Sequence, residues 1–115
     1  MLTLSKPAHL RSGHLPGEPL WRRLPTSDEH GQLLADFMMI IPGLREKSAA
    51  QIRSTAQVIE CVLRRHSHLV VYADLNLSIN VLWVSLRPVP GKTLELASLI
   101  HTLVPEAKLV AQYWE

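Results

Sequence analysis

Hydrophobic segments of two different periods alternate along the chain from residue 33 to residue 115. A nearly continuous apolar run over residues 33–41 is typical of a strand buried on both faces. It stops at Pro42-Gly43, a pair that breaks a ladder and turns the chain. A helical pattern follows over residues 44–65. Its apolar stripe recurs every three or four residues, as on one side of a helix, and consists of Ala49, Ile52, Ala56, Ile59 and Leu63.

Two further strand-like segments follow with no helical pattern between them. The first covers residues 67–74 and the second continues to about residue 87, with turn-forming residues at 74–76 between them. This arrangement predicts a hairpin. A second helical pattern occupies residues 93–103 and is closed by Pro105, and a short apolar run at residues 108–113 predicts a last strand.

The predicted order of elements is β-α-β-β-α-β, which indicates an α+β, ferredoxin-like sandwich. In that fold a four-stranded antiparallel sheet carries both helices on one face. We therefore expect residues 33–115 to form one domain. Residues 1–32 hold four of the eight prolines and three of the five glycines, which predicts an extended or partly disordered N-terminal arm. Within it, Trp21 either packs on the core of its own chain or contacts a partner.

The third predicted strand is apolar at every second residue on both of its faces. Two helices cover only one face of a four-stranded sheet, so the other apolar face needs a different cover. A second copy of the chain supplies one, and this predicts a homo-oligomer, a dimer or larger. The alternative is that residues 1–32 fold back over the sheet. The predicted interface residues are Ile79, Val81 and Trp83, and Leu82, Val84 and Leu86 point to the other face.

Composition narrows the function classes. The 12 basic and 10 acidic residues leave a net charge of only +2, whereas nucleic-acid binders usually carry a larger or more clustered excess. Nucleic acid is therefore not an expected partner. The apolar runs are too short to cross a bilayer, so no membrane association is expected. The single cysteine, Cys61, excludes an intrachain disulfide and fits a cytoplasmic protein.

Candidate chemistry is sparse. His66 and His68 have the spacing of two ligands on one strand face, but two imidazoles do not make a metal site, and we predict neither metal nor cofactor. Cys61 lies in the middle of a helix and is interpreted as buried and inert. Asp36, within an apolar strand, is read as hydrated or paired, with acid–base chemistry as the alternative.

The turn after the first strand is the candidate ligand site. If the first helix begins at Leu44, the backbone N–H groups of residues 44–46 are unpaired and favour an anion. Gly43 permits close approach of a ligand to the backbone, and Arg45 adds a fixed charge. The predicted ligand is a small carboxylate or phosphate, and the alternative is a plain turn. The predicted site residues are Pro42, Gly43, Leu44 and Arg45.

The order of elements and the segment Ile41-Pro42-Gly43-Leu44 resemble regulatory domains of the ACT type. That resemblance implies an amino-acid site at a dimer interface, although Ile40 and Ile41 stand where those domains usually carry an acidic residue. The same order resembles the dimeric α+β barrel group, which includes small oxygenases and isomerases. The leading hypothesis is a non-enzymatic oligomeric binding or regulatory module. The alternative is a small cytosolic enzyme with a pocket between sheet and helices.

Overall fold

A computed structural model describes residues 2–5 and 33–113. Trp21 and most of the predicted arm lie outside these residues. Within them the chain forms five strands, two α-helices and one short 3-10 helix at Leu44–Glu46. The strands are β1 (Leu2–Ser5), β2 (Ala35–Ile40), β3 (Val70–Asn76), β4 (Val81–Leu86) and β5 (Lys108–Tyr113), and the helices are α1 (Ala49–Arg65) and α2 (Lys92–Leu103).

The strands form one sheet in the order β1-β3-β4-β2-β5. The neighbouring strands in the part β3-β4-β2-β5 of this order are all antiparallel. This confirms the predicted α+β class with a four-stranded antiparallel sheet and two helices. β1 was not predicted from the sequence. This short strand pairs in parallel with β3, so that Leu2 lies beside Ala73 and Ser5 beside Asn76.

The core lies between the sheet and the helices. On β2 the inward positions are closed to solvent and the alternate ones are half-buried, so the expectation that this strand is buried on both faces is met on one face only. On β4 the inward side chains are Leu82, Val84 and Leu86, each 0% exposed. Side chains from both helices join this single cluster, which places both helices on the same face of the sheet. They include Ile59, Leu63, Leu96 and Ile100.

The predicted start of the first helix is wrong. Ser48 has an extended backbone and separates the 3-10 helix from α1, which begins at Ala49. The Oγ atom of Ser48 accepts a hydrogen bond from the N–H of Gln51 at 3.1 Å, and the Gln51 side chain reaches back to the N–H of Ser48. This reciprocal capping box satisfies donors at the helix start and fixes where α1 begins.

The hairpin also differs from its prediction. Residues 66–69 form a turn, so β3 begins at Val70 rather than at residue 67. β3 then continues to Asn76, and the turn occupies residues 77–80. Asn76 still shapes that turn, because its Oδ1 atom accepts the N–H of Ser78 at 2.9 Å. Asp74 is consequently a strand residue and not part of the turn.

Cys61 is exposed, which corrects the expectation that it is buried. The buried positions of α1 are Ile59, Val62 and Leu63. Because successive residues of a helix are rotated by about 100°, residue 61 falls on the side opposite to residues 59 and 63.

Candidate functional site

The candidate site is the sheet face opposite the helices, called here the open face. Its side chains come from alternate positions of β2, β3 and β4, which are adjacent strands. The strand register arranges them in three rows, each running across the three strands. In the order β2, β4, β3 the rows are Asp36, Ser85 and Tyr72; Met38, Trp83 and Asp74; and Ile40, Val81 and Asn76.

The structure brings two of the three predicted interface residues to the open face. Val81 is 8% exposed and Trp83 is half-buried, and they occupy neighbouring rows. Ile79 does not belong to the face. It lies in the hairpin turn, because β4 begins only at Val81, and its side chain is 54% exposed.

All three rows of the open face contain a polar side chain, and the two carboxylates and Ser85 lie in the row nearest the C-terminal end of β4 and in the middle row. Ser85 is 1% exposed and Asp74 is 2% exposed, while Asp36 is half-buried. Both carboxylates make polar or electrostatic interactions within the protein. The indole N–H of Trp83 is buried and has no hydrogen-bond acceptor in the described part of the chain. Buried donors of this kind are uncommon in folded proteins.

The two carboxylates do not form a close acid–base pair. Asp36 and Asp74 lie on strands separated by β4, so their backbones are roughly 10 Å apart across the sheet. They also belong to different, neighbouring rows. Carboxyl groups that share a proton are in direct contact. The arrangement therefore offers two separate carboxylates on a face whose other side chains are either apolar or uncharged and polar.

None of the polar residues considered for an enzyme pocket lies between the sheet and the helices. Asp36 and Tyr72 are in one row of the open face. His66 is at the end of α1, where its Nδ1 atom is 3.0 Å from the carbonyl oxygen of Val62. The space between the layers is instead occupied by apolar side chains that are closed to solvent.

The backbone N–H groups that were predicted to bind an anion are already hydrogen-bonded within the protein. The N–H of Leu44 donates to the carbonyl of Ile41 at 3.2 Å, and that of Glu46 donates to the carbonyl of Gly43 at 3.2 Å. The N–H of Arg45 donates to the Oδ1 atom of Asn80 at 2.9 Å. The premise that these three groups are unpaired is therefore wrong, because the segment is a closed 3-10 turn and not the start of α1.

The side chains of this turn also differ in exposure. Pro42, Gly43 and Arg45 are exposed, whereas Leu44 is 0% exposed and belongs to the core. Gly43 has a φ of 77°, in the left-handed region where a side chain introduces strain. The glycine is thus explained by the backbone of the turn.

His66 and His68 lie in the turn before β3, so they do not share a strand face as the spacing predicted. Their ring centroids are 6.4 Å apart. Across residues 2–5 and 33–113, no three His, Cys, Asp or Glu side chains cluster in a way that would hold a metal ion. Neither helix in this part of the chain has the length and apolarity needed to span a bilayer.

The contribution of β2 to the open face was not predicted from the sequence. Met38 and Ile40 lie beside Trp83 and Val81, respectively. The signal was present, because residues 36, 38 and 40 alternate with the buried residues 35, 37 and 39. It was obscured by the continuous apolar run, in which both faces of the strand have the same hydrophobic character.

Comparison with known proteins adds no assignment: no family model matches the sequence, and no curated protein or solved structure matches it significantly.

Proposed function

We propose that this chain is a small, non-enzymatic binding module with a ferredoxin-like βαββαβ fold, and that it works as a homodimer assembled through the open face. The strand order β3-β4-β2-β5 supports the fold proposal. In it, the first strands of the two βαβ halves, β2 and β4, lie side by side, and the last strand of each half, β3 or β5, forms an edge of these four strands beside the first strand of the other half. β1 extends this four-stranded arrangement by one strand, which pairs with β3.

The observation that carries the dimer is a contiguous apolar patch at the centre of the sheet. Met38 is paired with Trp83, and Ile40 with Val81, so four apolar side chains form a two-by-two block on the face without helices. Met38, Ile40 and Trp83 keep part of their surface exposed, whereas Val81 is closed to solvent. Contiguous exposed apolar surface marks interaction sites. A two-fold axis through the block would place each apolar group against the same set in the other copy.

The edges of the sheet are less suited to assembly than its face. In β5 the pairing with β2 shifts register between Met38 and Met39, which leaves Val110 as a bulge. The other edge, β1, has only four residues. Bulges and short edge strands both oppose edge-to-edge pairing.

The enzyme alternative has less support. An active site between the layers would need polar groups there, and Asp36, Tyr72 and His66 all lie elsewhere. The single cysteine is compatible with the proposed cytoplasmic location.

The proposed dimer is tested by sedimentation equilibrium of the full chain at micromolar concentrations. We expect a dimer for the wild type and a monomer for Trp83→Glu and Val81→Lys, because each change buries an unpaired charge in the interface. Leu94→Glu is the matched control. Leu94 is 52% exposed on α2, on the helix side of the sheet, so this variant should remain dimeric.

Circular dichroism and thermal unfolding verify that each variant is folded. A wild type that is still monomeric at about 100 µM refutes the dimer. So does a dimer that withstands both open-face charges but dissociates in the Leu94 variant, since that result would place the interface on the helices.

A further inference from the structure

The apolar stripe of α1 extends beyond the core. Its C-terminal members Ile59 and Leu63 are 0% exposed. Its N-terminal members are accessible to solvent: Ile52 and Ala56 are half-buried, and Ala49 is exposed. Half of a continuous apolar stripe therefore lies at the surface, although its periodicity is that of a buried helix face.

This uncovered half forms one wall of a groove of about 500 Å³, called here the α1 groove. Leu2 of β1 and Leu77 after β3 contribute to its other walls, and its surface is mostly apolar. The volume is within the range of about 300 to 1,000 Å³ that is typical of small-molecule sites. The two small alanines on the helix allow a ligand to approach the helix backbone.

The charges around the α1 groove are unequal. Arg53 lies on its border, is exposed, and forms no ion pair in the part of the chain that the structure describes. The carboxylate of Glu60 also borders the groove but is already engaged, since it accepts the N–H of Leu2 at 2.9 Å and the Nε–H of Arg64 at 2.6 Å. Among the described residues that line the groove, Arg53 is therefore the cation that has no carboxylate partner.

We propose that the α1 groove binds a single-chain amphiphile with a carboxylate head group. The apolar chain lies along Ile52 and Ala56 toward Leu2 and Leu77, and the carboxylate lies at Arg53. This combination satisfies both the apolar walls and the unpaired guanidinium, which binds carboxylates through its planar array of donors. The groove is on the helix side of the sheet, so the inference does not depend on a dimer through the open face.

The first experiment compares three ligands with the same chain and different head groups. Decanoate and decyltrimethylammonium, each below its micelle-forming concentration, and decanol, below its solubility limit, are titrated into ¹⁵N-labelled full-length protein. We expect saturable shifts of the amides of residues 52, 56 and 77. Decanoate should bind most tightly, by a few-fold over decanol and at most about fivefold, as is usual for an exposed ion pair. The cationic ligand should bind most weakly.

The second experiment distinguishes the contribution of the Arg53 charge to ligand affinity from that of the apolar groove. Arg53→Gln should reduce the affinity for decanoate to that for decanol. The control is Arg65→Gln, because Arg65 is exposed on the same helix but lies outside the groove. This variant should leave the affinities for decanoate and decanol unchanged. Ala56→Trp fills the groove and should abolish binding of all three ligands. Ser98→Trp, at an exposed position of α2, is its control.

Thermal unfolding shows whether the tryptophan variants fold, and Ala49→Trp at the exposed mouth of the groove replaces Ala56→Trp if that protein does not. The proposal is wrong if no ligand gives saturable shifts at groove residues, or if decanoate retains its advantage in Arg53→Gln. It is also wrong if the groove amides respond only to protein concentration, which would identify a second copy of the chain as the occupant. Failure of the dimer is read from sedimentation alone and leaves these titrations unaffected.

Discussion

Asn80 is expected to stabilise two turns at once. It has a φ of 57°, which places a non-glycine residue in the left-handed region. Its carbonyl accepts the N–H of Ile41 at 2.8 Å, and its Oδ1 atom accepts the N–H of Arg45 at 2.9 Å. The tip of the β3–β4 hairpin is thereby joined to the 3-10 turn that follows β2.

Two substitutions separate the contributions of Asn80. Asn80→Ala removes the side-chain hydrogen bond, worth about 0.5–1 kcal/mol at an exposed site, and adds left-handed strain of about 1 kcal/mol relative to asparagine. Its total cost is therefore about 1.5–2 kcal/mol of unfolding free energy. Asn80→Gly loses the same hydrogen bond but has no strain, and it should cost about 1 kcal/mol or less.

Urea denaturation measures these differences as shifts of the midpoint at constant slope. Asn80→Asp keeps both the acceptor and the tolerance for a left-handed backbone, and it should be within about 0.5 kcal/mol of the wild type. A glycine variant less stable than the alanine variant would contradict the strain argument. An alanine variant as stable as the wild type would contradict the connection between the two turns.

Two further predictions concern α1. Burial raises the pKa of Glu60, but the hydrogen bonds from the Leu2 N–H and from Arg64 outweigh this effect and leave the pKa below its usual 4.5. The ionised form therefore stabilises the folded state above pH 4.5, and this contribution is lost as the pH falls through the lowered folded pKa. The stability difference between wild type and Glu60→Gln, about 1 kcal/mol near neutral pH by urea titration, should vanish in acid, and a pH-independent difference would contradict the assignment. Because Cys61 is exposed, it should react with Ellman's reagent in the native protein as fast as in urea, and Cys61→Ser should cost less than about 0.5 kcal/mol; reaction only after unfolding would show that the thiol is covered.

Elements set by local patterns were predictable from the sequence. The alternation in β4 correctly separated Leu82, Val84 and Leu86 from Val81 and Trp83, because a strand has only two faces. The last strand was predicted with the bounds it has in the structure, residues 108–113, since Pro105 ends the preceding helix.

Errors arose where a long-range partner or a cap decides the structure. The alternating residues 2–5 are too few to identify a strand, and they become one only through pairing with β3. The start of α1 could have been predicted from Ser48 and Gln51, which form a capping box. Because Leu44 is apolar, the helix was instead predicted to begin at residue 44 rather than at Ala49. The open face was foreseen from β4, whereas the pairing of the Arg45 N–H depends on Asn80, which is distant in sequence.

The position of β1 has a consequence for the order of folding. β1 pairs with β3, and about seventy residues separate the partners. β1 therefore has no hydrogen-bonding edge until the β3–β4 hairpin has formed, whereas that hairpin needs only a local turn. Its docking should be a late kinetic step, after the antiparallel sheet has condensed. Because Leu2 contributes a wall of the α1 groove, the groove would be completed in the same step, last in the assembly of the domain.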